Sequence, residues 1–282
     1  MSQNLADALT PANRRESPYP HYVATAALDA DHFRALSARF PDDALVRQGK
    51  PPGDNRRFSW PAAEAIDDAR LDPLWRQTLA LHVGQSFLDG VLRALTEDIH
   101  RSYPWLEEAV GRPLPQWRAG VRNRDRFDTC EVLIDAQPSI NSPVLGAGSS
   151  VRGPHIDKPH KLFAGLYYLR PDSDTDTPGG ELVVYRHLRE QPQFEDAQID
   201  PAHVEETHRV AYAGNTLVLF LNSLEAVHGV TARPRTPHTR RFLNIVGEVR
   251  PALFDLAARQ RRRSPLARTA AHLRALLQHR RG

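Results

Sequence analysis

A chain of 282 residues with 40% hydrophobic and 25% charged residues has the composition of a globular protein with a sizeable core, and no apolar run in it approaches a membrane span. The single cysteine, Cys130, excludes an intrachain disulfide and a thiolate cluster. The formal net charge of +3 is concentrated at the C-terminal end, where arginines crowd the residues after Pro251 and Asp255 is the only acid.

In chain order, residues 1–20 are polar, carry proline and arginine, and are expected to be disordered. They contain no apolar h-region, so no secretory signal is expected and the cytoplasm is the default location. Residues 21–108 read as a helical support region. "DADHFRALSARF" predicts a short amphipathic helix with Asp29 or Asp31 as its N-cap. "QGKPPGDNRRFSWP" predicts a loop, and the stretch from Leu71 to His100 predicts one or two helices. Near residue 110 the character changes. "FDTCEVLIDAQPSI", "KLFAGLYYLR", "ELVVYR", "TLVLFL" and "RRFLNIVGEV" predict strands separated by turn-rich loops, with no alternating helices. Residues 109–250 are therefore expected to form an antiparallel sandwich or barrel. Residues 251–282 read as an Arg-rich helical tail. Leu266, Leu273, Leu276 and Leu277 recur at near-helical spacing and would dock it on the body. With no aromatics interleaved among its arginines, the tail reads as a solvated face rather than a nucleic-acid patch.

The chemistry concentrates in "GPHIDKPHKLFAGLYYL". On extended chain, residues i and i+2 point to one side, so His155 and Asp157 aim an imidazole and a carboxylate at one point. His228, just after the apolar run "TLVLFL", is the candidate third ligand. Two histidines and a carboxylate on one face are the ligand set of non-haem Fe(II) oxygenases. A lone H-x-D among 13 histidines is also compatible with a capped turn. The similar "HVE" at 203–205 lies in an acidic, turn-like segment and is set aside, as are His160 and His238. Arg240 or Arg241, opening the next strand, suits an anionic co-substrate, because a guanidinium pairs bidentately with a carboxylate. Gln137, Asn141, Arg152, Lys158, Lys161 and Asn222 are further polar candidates near the site.

The pieces "PHID", "GLYYL", "GGEL", "GNTLVLFLNSLEAVHGV" and "RRFLNIV", spread over about residues 130–250, together resemble the Fe(II)/2-oxoglutarate-dependent dioxygenases, in particular their prolyl-4-hydroxylase-like branch. The resemblance implies a mainly β fold with flanking helices, built on a double-stranded β-helix (jelly-roll, cupin-like) core. It implies iron ligands at His155, Asp157 and His228, and a grip on 2-oxoglutarate by Arg240 and Tyr168. Fe(II), 2-oxoglutarate and O2 would be the cofactor and co-substrates, with succinate and CO2 released as a C–H bond is hydroxylated. The carboxylate at position 157 favours hydroxylation over the halogenation of relatives that lack it. The expected partner is a small-molecule substrate, with no membrane and no nucleic acid. The competing readings are a protein- or nucleic-acid-modifying oxygenase docking through its basic tail, and a non-redox metal-binding jelly roll.

Overall fold

The computed structural model describes residues 3–174, 178–188 and 197–256. After two short 3-10 turns come β1 (Arg14–Arg15), β2 (His21–Thr25), α1 (Ala30–Ala38), α2 (Asp43–Arg47), β3 (Arg57–Ser59) and α3 (Ala62–Ala65). Then follow α4 (Pro73–His82), α5 (Gln85–Ser102) and α6 (Leu106–Val110). The remaining elements are β4 (Ala119–Val121), β5 (Val132–Asn141), β6 (Lys161–Tyr168), β7 (Leu182–His187), β8 (Val204–Val210), β9 (Thr216–Leu221), β10 (His228–Val230) and β11 (Arg240–Val249).

The strands form two sheets. The larger runs β1-β2-β9-β6-β11-β5-β3, with β4 beside β5, and the smaller runs β10-β7-β8. From β5 onward the chain winds between them. It passes from β5 to a bridge at His155 on the smaller sheet, then to β6, across to β7 and β8, back to β9, across to β10 and back to β11. That winding, with central order β9-β6-β11-β5 facing β8-β7-β10, is a double-stranded β-helix. The fold class expected from the sequence is the one observed.

Both faces of the larger sheet are covered, which explains its unbroken apolar strands. In β9, Leu217, Leu219 and Leu221 pack into the main core with the helices, while Val218 and Phe220 face the smaller sheet. The helical layer is held by α5, whose Phe87, Leu88, Val91, Leu95 and Ile99 are fully buried. Asp29 caps α1 by accepting from the backbone N–H groups of Asp31 and His32.

Four expectations are corrected. Residues 3–20 are structured. Leu5 is fully buried and its N–H donates to His82 Nε2 at 3.1 Å, and Arg14 pairs with buried Asp98 at 2.7 Å. A few well-placed apolar and paired residues outweigh a polar average composition. Residues 21–108 are more than a helical support, because β2 pairs with β9 and β3 with β5, so this region extends the larger sheet and shares the main core with residues 109–250. The segment holding β3 was expected to be loop; its three strand residues are too few to show a period. In the "HVE" stretch His203 closes a 3-10 turn, as expected, but Val204 and Glu205 open β8. Of the expected tail, residues 257–282 and the four leucines lie outside the described residues.

Candidate metal and co-substrate site

His155 and His228 are cross-strand neighbours. Each backbone N–H donates to the other's carbonyl at 2.9 Å, and the ring centroids are 4.2 Å apart. Each ring also meets a carbonyl two residues back. Nδ1 of His155 lies 2.8 Å from Gly153 O, and Nδ1 of His228 lies 2.9 Å from Ala226 O. A carbonyl only accepts, so Nδ1–H donates in both rings and Nε2 carries the free lone pair. Both are buried, as is Asp157. The ligand atoms of His155, Asp157 and His228 all lie within 4.8 Å of one another, and no other such group of three occurs among the described residues.

Electrostatics favours the metal-binding protonation states. Burial, then the neighbouring His228 and Arg152, pushes His155 down to about 2, and burial also lowers His228. Burial acts to raise Asp157, but Lys161, His228 and His155 outweigh it and hold the carboxyl well below the usual range. Lys161 Nζ donates to Asp157 Oδ1 at 2.7 Å, which leaves Oδ2 for a metal. Two neutral imidazoles and a carboxylate suit a divalent first-row metal.

The three residues line a cavity of about 160 Å³ between the sheets. Arg240 enters it from the start of β11. Its guanidinium is 4.7 Å from the Phe242 ring centroid, 5.0 Å from that of Tyr168 and 5.2 Å from that of Tyr212. Nε donates to Gly180 O at 2.8 Å and Nη1 to Asn141 Oδ1 at 3.1 Å. Arg241 faces outward, over Phe40 and towards Asp43, because alternate strand residues take opposite faces. Of the two arginines left open by the sequence, Arg240 is the one in the cavity. Gly179 and Gly180 make this possible. Both have positive φ, and a Cβ on Gly180 would stand 3.0 Å from Arg240 Cδ.

Three buried donors beside one another have no hydrogen-bond partner: Arg240 Nη2, Asn141 Nδ2 and the Tyr168 hydroxyl. Burial raises the Tyr168 pKa, the Arg240 charge only partly opposing it, so the phenol remains a donor. Buried donors normally find acceptors, so this grouping fits a bound carboxylate.

The other candidates fall elsewhere. Gln137 does not line the cavity; its side chain donates to Asp135 and accepts from Asn244, which does line it. Asn222 is a brace, donating to the carbonyls of Lys158 and Lys161, and Lys158 is exposed and does not line the cavity. His160 and His238 do not line the cavity, and Arg152 does. Sequence reasoning missed Arg57 and Phe242, both in the lining. The in-facing register of β11 was the available signal for Phe242. Arg57 had none, because its place depends on β3 reaching β5.

These features define a jelly roll with a buried two-histidine, one-carboxylate centre and an arginine-based anion site beside it. No family model and no curated protein matches the chain. Among solved structures, it is similar to a prolyl-4-hydroxylase from Pseudomonas putida, at 16% identity and a TM-score of 0.46, covering 87% of this chain and 99% of that one. It is similar to a prolyl 4-hydroxylase from Phytophthora capsici, at 16% identity and a TM-score of 0.48, covering 87% of this chain and 64% of that one. It is also similar to an oxidoreductase of the 2OG-Fe(II) oxygenase family from Burkholderia pseudomallei, at 16% identity and a TM-score of 0.39, covering 88% and 91%. The fold assignment rests on the strand order itself.

Proposed function

We propose that this chain is a non-haem Fe(II)/2-oxoglutarate-dependent oxygenase that hydroxylates an unactivated C–H bond of a small molecule, with release of succinate and CO2. The observation that carries the reading is the coincidence, in one cavity, of the His155, Asp157 and His228 ligand atoms with the unpartnered donors of Arg240 and Asn141, with the Tyr168 hydroxyl unpartnered on the ring that packs against Arg240. His155 and His228 would hold Fe(II) through Nε2, and Asp157 through Oδ2. The iron, with O2 and 2-oxoglutarate, supplies the oxidising power for the C–H bond.

The protein's own part is positional. The carbonyls of Gly153 and Ala226 fix the two imidazole tautomers and ring orientations. Lys161 steadies Asp157 by holding its second oxygen. Arg240, braced by Gly180 and stacked among Tyr168, Tyr212 and Phe242, would pair with the distal carboxylate of 2-oxoglutarate, with Asn141 and Tyr168 donating alongside. Ala164, Leu166, Leu182 and Phe220 wall the cavity with apolar surface and limit water beside the reacting bond.

The test is turnover of 2-oxoglutarate to succinate by protein reconstituted with Fe(II), Zn(II) or no metal. The reading requires succinate with Fe(II) alone and its loss in Asp157→Ala. Zn(II) binding with no Fe(II)-dependent succinate under any substrate screen would favour a non-redox metal protein instead.

A further inference from the structure

Four cationic side chains line the cavity, Arg57, Arg152, Lys161 and Arg240, against one carboxylate, Asp157. Lys161 is committed to Asp157, and Arg240 belongs to the deep donor group. The other two are uncommitted. Neither the Arg57 nor the Arg152 guanidinium has a hydrogen bond or a carboxylate within salt-bridge distance among the described residues.

Their placement is built by the fold. Arg57 pairs in register with Asn141, and Asn141 with Arg240, so the three stand in one row across β3, β5 and β11. Both guanidinium groups pack against the Phe242 ring, Arg240 at 4.7 Å and Arg57 at 5.3 Å from its centroid. Arg240 is buried at the inner end, whereas Arg57 is exposed at the mouth. Arg152 reaches the same mouth from the loop between β5 and β6 and is half-buried. Two unpaired like charges at a partly desolvated opening repel each other, and an anion between them relieves that repulsion. The proposed occupants of the deep site do not supply this anion. The charges of Fe(II) and of the 2-oxoglutarate dianion cancel, so the excess at the mouth remains.

Resting on the oxygenase reading, we propose that Arg57 and Arg152 bind a carboxylate or phosphate group on the substrate, which is a small amphiphilic acid. Its anionic end sits at the mouth, and its neutral carbon chain runs inward past Leu166, Leu182, Phe220 and Val230 to the metal. The cavity, about 160 Å³, suits a small molecule, and its lining has no exposed aromatic platform of the kind that holds single-stranded nucleic acid.

The experiment uses the full chain loaded with Zn(II), which blocks turnover, and saturated with 2-oxoglutarate. Hexyl phosphate, hexanoate and hexanol are titrated calorimetrically. The proposal expects saturable binding of at least one anion and markedly weaker binding of hexanol. Arg57→Gln and Arg152→Gln should each weaken the anion about tenfold or more, as loss of a charged hydrogen bond does. Arg57→Lys should restore part of the loss, which a folding defect would not. Hexanol binding as tightly as the anions, or unchanged anion affinity in both Gln variants, overturns the proposal. So does a loss of 2-oxoglutarate affinity in those variants equal to that in Arg240→Ala, which would place both arginines in the co-substrate site. A single-stranded oligonucleotide that displaces hexyl phosphate and binds far more tightly through the same arginines would overturn the small-molecule assignment. Wild-type protein that binds hexyl phosphate through Arg57 but never binds 2-oxoglutarate would sink the oxygenase reading while leaving the anion site standing.

Discussion

His155 and His228 exchange both of their backbone hydrogen bonds, 2.9 Å each, although 72 intervening residues separate them in the chain. The pairing places the two imidazoles side by side before any metal is considered. Each ring is then locked by a carbonyl on its own strand, so the ligand geometry belongs to the backbone. Asp157 completes the grouping two residues after His155.

Removing the carboxylate should therefore remove the metal chemistry. Asp157→Ala is expected to abolish Fe(II)-dependent succinate formation and to weaken metal binding, measured by equilibrium dialysis. Wild-type activity in that variant would refute the ligand assignment.

Lys161 touches Asp157 and contributes no ligand atom. Lys161→Met keeps the length of the side chain and drops the ammonium, freeing Asp157 to rotate. Metal affinity should fall about 10–100-fold, the usual effect of losing a partner that orients a ligand. Unchanged affinity would mean that Asp157 needs no such brace.

For the co-substrate, Arg240→Ala should raise the requirement for 2-oxoglutarate by orders of magnitude, since truncating one partner of a buried charge pair costs about 2–5 kcal/mol. Arg241→Ala, on the outer face, should change it little. The reverse pattern in binding titrations would contradict the observed register of β11.

Gly180 offers a test of backbone strain. Its φ of +77° strains any L side chain, and an added Cβ, 3.0 Å from Arg240 Cδ, would press Arg240 aside. Gly180→Ala should lose more than about 1 kcal/mol in urea unfolding. It should also weaken 2-oxoglutarate binding, because the Gly180 carbonyl holds Arg240 Nε.

Acid stability should depend on His82. Burial lowers its pKa to about 4, and its ring accepts from Leu5 N–H while donating to Thr78 O, a neutral tautomer. The folded pKa lies below the unfolded value, so the unfolded chain takes up the proton first. The contribution of His82 is thus fully present above about pH 6.5 and is lost as pH falls towards 4, on the order of 3 kcal/mol. His82→Gln should flatten the slope of unfolding free energy across that window in urea titrations. An unaltered slope would assign the acid sensitivity to other groups, such as buried His21, which titrates over the same range.

What could be read from the chain alone was local. The H-x-D spacing, the apolar runs of β6, β9 and β11, and the Asp29 cap are all features of a few consecutive residues, and side-chain alternation and ligand chemistry follow directly from such windows. The tertiary structure decided the rest. Arg240 was separated from Arg241 only when β11 took its register against β5 and β6. Asn222 became a brace because its side chain meets carbonyls about sixty residues away in the chain. Residues 3–20 looked unable to fold because their burial depends on α5, which they meet only in space. Arg57, in a stretch read as loop, joined the cavity because three residues of β3 add to the edge of β5. Strand pairing over such distances rests on shape and hydrogen-bond complementarity between segments, which no local pattern of residues encodes.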